Sequence, residues 1–139
     1  MGKYNLGEVW WTQFPFLAIM HPSGKYLQVY DERWKCWLFP YYRTEDPNKE
    51  NIDRHASCLI KMKVTTSYIT NAPHCKYSES DKAYKLYKHT LYRYALSDVP
   101  EHMSSDVFVL DDKKYAWKSI EELEADSNVM EKMMISLLL

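Results

Sequence analysis

Rings and guanidinium groups crowd one stretch of this sequence: Arg33, Trp34, Trp37, Tyr41, Tyr42 and Arg43, with Arg54 a little further on. Aromatic side chains stack on nucleobases, and arginine grips phosphate through paired N–H donors, so this combination suits a nucleotide. Tyr92 and Arg93 repeat it later in the chain. Such rings also fill sheet cores, so the expectation is that at least one ring and one arginine line a pocket. Metal and nucleophile chemistry is poorly provided for. His55 and Cys58 could share a helix face, and His74 and Cys75 are adjacent, but neither pair belongs to the four-ligand spacing that zinc requires. Nothing marks a thiolate environment for a Cys–His nucleophile. No metal and no cofactor is expected.

The elements that must position these residues follow from periodicity. Residues 14–20, FPFLAIM, form a buried strand, HPSG is a turn, and residues 25–30 alternate as the second arm of a hairpin. Residues 37–42 make a third strand. A polar loop, TEDPN, leads into a helix in which Ile52, Ala56, Leu59 and Ile60 recur at helical spacing, leaving Asp53, Arg54, Ser57 and Lys61 to face water. Residues 64–69 are a β-branched strand, and TNAPHC breaks it. Residues 86–96 form a strand with Thr90, Tyr92 and Tyr94 on one face and His89, Leu91 and Arg93 on the other. Residues 107–110 and 115–117 pair across a DDKK turn. Ser119 and Glu122 fit a capping box, and a methionine and leucine stripe over 129–138 predicts a last helix that is core or interface.

The chain of 139 residues suits one domain spanning 1–139, with 46% hydrophobic, 27% charged and 15% aromatic residues. A net charge of −1 argues against duplex nucleic acid as a partner, and three glycines are too few for a Gly-rich phosphate loop. The odd set of three cysteines points to reduced thiols and a cytoplasmic setting rather than a secreted disulfide framework. No leader pattern and no membrane-spanning run is present, so a membrane could be reached only through a segment absent from this chain.

In this order the pattern resembles the Nudix fold. Trp37-Leu38-Phe39-Pro40 stands where that family has a tryptophan strand ending in Pro-Gly-Gly, with Tyr41 and Tyr42 in place of the glycines. Glu45 sits where a loop glutamate usually comes, and 52–62 would be the helix that carries the catalytic motif. KYAWKSIEELEAD is similar to the family's last helix opening. The resemblance implies an α+β fold, an α/β/α sandwich with a mixed β-sheet, a motif helix and C-terminal helices. It also exposes a departure. Counted from Tyr42, the motif glutamate falls on Asn48, its Arg-Glu on Ala56-Ser57 and its Glu-Glu on Ile60-Lys61; from Arg54 through Ser78 there is no Asp or Glu. Magnesium needs hard oxygen ligands, so ordinary magnesium-dependent hydrolysis is not expected.

A Nudix-like helix without its acids, beside rings and arginines, implies binding without turnover. The resemblance extends to the Nudix-like sensor domains of bacterial cyclic-oligonucleotide anti-phage effectors (CBASS). It implies a cyclic di- or oligonucleotide ligand, a homo-oligomer formed on binding, and Arg33, Trp34, Trp37, Tyr41, Tyr42, Arg43, Arg54, Tyr92 and Arg93 as candidate ligand-binding residues. Two alternatives remain open: a divergent metal-dependent nucleotide hydrolase using Glu45, Glu50, Asp53 or Glu79, and a protein-interaction module.

Overall fold

The computed structural model describes residues 12–44, 48–78 and 82–126. Among these described residues seven strands form one mixed sheet: β1 (Thr12–Met20), β2 (Tyr26–Asp31), β3 (Cys36–Leu38), β4 (Ser67–Ser78), β5 (Ala83–Ala95), β6 (Val107–Leu110) and β7 (Lys113–Lys118). Helix α1 (Lys49–Ile60) follows β3, and α2 (Ile120–Asp126) follows β7. The strand order is β4-β5-β1-β2-β7-β6, with β3 paired to β2; β1 and β5 run parallel and the other pairs antiparallel. The architecture is the expected α+β sandwich.

Period-two alternation decides which helix each strand residue meets. Leu17 and Ile19 of β1, Leu27 and Val29 of β2, and Tyr115 and Trp117 of β7 pack with Ile52, Ala56 and Ile60 of α1. Phe16 and Ala18, Tyr26, and Leu91 of β5 turn the other way and pack with Phe39 and with Leu123 of α2. Tyr92 and Tyr94 join the α1 side, as the alternation of β5 predicts.

Local chemistry fixes the ends of these elements. Gly24 closes the β1–β2 hairpin at φ 93°, a region that L side chains rarely adopt. The two residues between β6 and β7, Asp111 and Asp112, have φ of 51° and 64°, the geometry of a tight type I′ hairpin turn, which short acidic side chains tolerate. The side chain of Asn48 accepts the Asn51 N–H at 2.8 Å and caps α1. The capping box of α2 is formed: Ser119 Oγ accepts the Glu122 N–H at 3.2 Å, and Glu122 accepts the Ser119 N–H at 3.1 Å.

Several expectations need correction. TNAPHC does not break β4 but lies inside it, pairing with β5 (Pro73 opposite Lys88). An edge strand tolerates proline, because one side of its ladder has no partner to lose. Helix α1 stops at Ile60, where Lys61 takes a left-handed conformation and donates its N–H to Ser57 O at 2.8 Å. The third strand ends at Leu38 and continues only as isolated bridges, Phe16 with Tyr41 and Gln13 with Thr44. Asp53 and Ser57 do not simply face water. Ser57 Oγ accepts the Val64 N–H at 3.0 Å, and Asp53 binds Thr66, so both stitch α1 to the chain returning toward β4. Glu45, Glu79 and the 129–138 stripe lie outside the described residues, as do the side chains of His74 and Cys75. No helix among the described residues is long and apolar enough to cross a membrane.

Candidate functional site

Segment 40–44 runs antiparallel beside β1 and carries the two tyrosines that replace the expected glycines. Leu17 donates its N–H to Pro40 O at 2.8 Å, and Gln13 and Thr44 exchange hydrogen bonds at 3.0 and 2.9 Å. The residue of β1 facing Tyr42 is Pro15, which has no N–H. Pro15 can therefore only accept from this segment, and the bridge of Phe16 with Tyr41 holds it beside β1.

Consecutive residues of an extended segment point to opposite faces, and Tyr41 and Tyr42 part accordingly. Tyr42 turns to the α1 side and lies flat on His55, with ring centroids 3.6 Å apart and planes 13° from parallel. Its hydroxyl is buried with no hydrogen-bond partner among the described residues. Burial, helped by neighbouring Tyr92, pushes the Tyr42 phenol up to about 12. Burial and adjacent Arg54 hold His55 below the usual imidazole range. Tyr92 meets Tyr68 edge-on at 5.5 Å. Asp53 Oδ1 accepts the Thr66 N–H at 2.8 Å and the Thr66 hydroxyl at 2.6 Å, and Lys49 Nζ reaches the same carboxylate at 2.8 Å. Burial alone would raise this carboxyl; the hydrogen bonds from Lys49 and Thr66 outweigh it and hold Asp53 below its ordinary value. The other described acid of α1, Glu50, is exposed and lies 3.6 Å from Arg54. Among the described residues no group of three or more His, Cys, Asp or Glu is placed to hold a metal ion.

Tyr41 turns to the α2 side and stacks on Phe16, with centroids 5.1 Å apart. Its hydroxyl donates to Asp31 Oδ2 at 2.8 Å; burial and this acceptor push it up to about 12. Asp31 Oδ1 accepts the Trp34 N–H at 2.9 Å, so one carboxylate sets both the β2–β3 turn and the Tyr41 ring. On the same face Trp37 meets Tyr30 edge-on at 5.4 Å, with Lys118 and Lys114 at 4.9 and 5.8 Å from its ring centre.

An open cleft of about 440 Å³ lies where the end of β2, Pro40 and Tyr41, and the β6–β7 turn converge. Its lining includes Tyr30 and Tyr41, Lys113 and Lys114, Asp31, Glu32 and Asp112, and Tyr115, whose ring is itself packed in the α1-side core. Such a wall can stack a flat ring, pair with phosphate and accept N–H donors.

Of the nine candidate ligand residues, Tyr41 alone lines this cleft. The sheet divides the rest. Trp37 and Arg93 accompany Tyr41 on the α2 side, where Arg93 Nη2 donates to Met20 Sδ at 3.6 Å. Tyr42, Arg54 and Tyr92 lie on the α1 side. Arg33 and exposed Trp34 sit on the β2–β3 turn, the guanidinium 5.6 Å from the indole centre, and Arg43 is exposed. Sequence reasoning missed Tyr30, Lys113, Lys114 and Tyr115. Alternation could have separated Tyr41 from Tyr42, but the lysines reach the cleft only because β7 pairs with β2.

No protein-family model matches the sequence, and no curated protein matches it. Solved structures do match in shape. The Nudix domain of NrtR from Shewanella oneidensis, complexed with ADP ribose, has a TM-score of 0.64 at 9% identity, with 97% of this chain and 91% of that one covered. The MutT protein from Bacillus halodurans gives 0.63 at 12% identity, covering 90% and 80%. The Ap4A hydrolase of C. elegans gives 0.55 at 14% identity, covering 92% and 93%. The chain therefore has the Nudix fold.

Proposed function

We propose that this Nudix-fold chain binds a cyclic di- or oligonucleotide without hydrolysing it and assembles with itself in response. The role resembles that of the Nudix-like sensor domains in bacterial cyclic-oligonucleotide anti-phage signalling. The observation that carries the reading is the pairing of two features: a cleft walled by tyrosines and lysines, and a helix α1 whose inward residues are Ile52, Ala56 and Ile60 while its partly buried acid, Asp53, is held by Thr66 and Lys49. The NrtR Nudix domain in complex with ADP ribose supports a nucleotide as the class of ligand for such a fold.

The charges of the cleft favour the cyclic form. Three carboxylates face two lysines, so a ligand rich in negative charge is repelled. A cyclic phosphodiester carries one charge per phosphate, whereas a terminal phosphomonoester carries nearly two. Tyr30 and Tyr41 offer stacking surfaces, Lys113 and Lys114 pair with the diester, and Glu32 and Asp112 accept N–H donors from a base edge.

Isothermal titration tests this with a cyclic dinucleotide, a linear dinucleotide bearing a terminal phosphate, and ADP-ribose. The cyclic ligand is expected to bind most tightly. Tyr30→Ala should weaken it by about tenfold or more, the scale of a lost stacking contact, with a melting curve as the folding control. Tighter binding of the linear ligand, or no heat with any of them, would overturn the proposal.

A further inference from the structure

We propose that the free edge of β6 is a dimer interface through which a second copy of this chain continues the sheet. Strand β6 ends the strand order, and among the described residues no strand pairs with its outer edge. Trp117 donates its N–H to Asp106 O at 3.0 Å, which makes that pair a hydrogen-bonded one. Antiparallel ladders alternate, so Phe108 and Leu110 also direct their backbone groups to β7, at partners Tyr115 and Lys113. Val107 and Val109 direct their N–H and C=O groups outward. Their side chains are exposed as well, Val109 at 70% and Val107 at 51%, while Phe108 stacks inward on Tyr115 at 5.4 Å. The strand is VFVL, with no charge, no proline and no bulge, the devices that ordinarily block an edge from pairing.

The occupant follows from complementarity. A two-fold axis through Phe108 sets Val107 opposite Val109 of the second copy, and the reverse. Both valines then make backbone pairs, and each exposed side chain covers its opposite number, a favourable β-branched cross-strand contact. In this register Asp106 faces Leu110 and Ser105 faces Asp111, so no acid opposes an acid and a hydroxyl meets a carboxylate. An axis through Val109 would oppose Asp106 to Asp112, and an axis through Val107 would leave Val109 opposite Ser105. Charge and shape thus select one antiparallel self-pairing. The dimer needs no ligand, so this inference stands or falls separately from the nucleotide reading.

Sedimentation equilibrium of the 139-residue chain over a concentration series tests it, alongside amide hydrogen exchange at low and high concentration. A reversible monomer–dimer equilibrium is expected, with slowed exchange at Val107 and Val109 in the dimer. Val109→Pro removes an outward N–H while leaving the β6–β7 ladder intact. By symmetry it deletes two hydrogen bonds per dimer and should weaken association by at least about tenfold, with an unchanged far-ultraviolet spectrum. Val109→Lys, which keeps the N–H but places a charge on the buried contact, should weaken it too. A monomer at every concentration, or a dimer that leaves the two valine amides unprotected, would overturn the proposal.

Discussion

Replacing Asp53 with alanine should destabilise the fold strongly, because this carboxylate is a structural acceptor. Asp53 Oδ1 takes hydrogen bonds from both the N–H and the hydroxyl of Thr66, at 2.8 and 2.6 Å. Thr66 is only 4% exposed, so the substitution strands two buried donors. An unsatisfied buried donor costs roughly 1–3 kcal/mol. The loss from Asp53→Ala should therefore be about 3 kcal/mol, with little added by exposed Lys49. Asp53→Asn keeps an acceptor but loses charge assistance, and should cost about 1 kcal/mol. Urea denaturation reads both as lower midpoints at an unchanged slope. The sign with pH also follows. The carboxyl sits below its ordinary value in the folded chain, so its contribution is complete above the unfolded pKa, near 3.9, and is lost as pH falls through the folded value. Asp53→Ala should lack that part of the acid-induced loss. A cost below about 1 kcal/mol for alanine would refute this reasoning. So would a magnesium-dependent stabilisation of the natural chain that Asp53→Asn removes, since the carboxylate would then be a metal ligand.

Three further outcomes are expected. His55, held below its ordinary value under Tyr42, takes up its proton later than in the unfolded chain, so stability should decline as pH falls below about 6.5; His55→Gln should flatten that decline in melting curves. Trp117 Nε1 donates to Met103 O at 2.7 Å in the core, and Trp117→Phe should cost roughly 1–3 kcal/mol by leaving a buried carbonyl unpaired, as read by urea denaturation. Ser119→Ala removes the reciprocal cap of α2 and should cost about 1 kcal/mol, measured in the same way.

Elements with strong local chemistry were legible in the sequence. The two faces of β1 follow from FPFLAIM by alternation, the DDKK turn from its short acidic residues, and the α2 cap from Ser119 and Glu122. Misreadings came where a distant partner decides. TNAPHC contains proline and reads as a break, but β4 is built on the long β5 and is an edge strand among the described residues. Asp53 and Ser57 read as solvent-facing because helical periodicity sees only polarity, whereas Thr66 and Val64 return to meet them. The candidate ligand residues clustered in sequence, but the sheet runs between them, and Lys113 and Lys114 enter the cleft through β2–β7 pairing. That the motif glutamates are missing, with no Asp or Glu on α1 after Asp53, was legible from one motif comparison, and it carries most of the functional reading.

The central claim, nucleotide binding without turnover, is tested most directly by incubating the chain with a cyclic dinucleotide in magnesium and in chelator, then measuring bound ligand by calorimetry and its integrity by chromatography. The prediction is saturable binding that magnesium does not require, with the ligand recovered intact under both conditions. Ligand breakdown in magnesium that the chelator abolishes would contradict it and mark the chain as a divergent hydrolase.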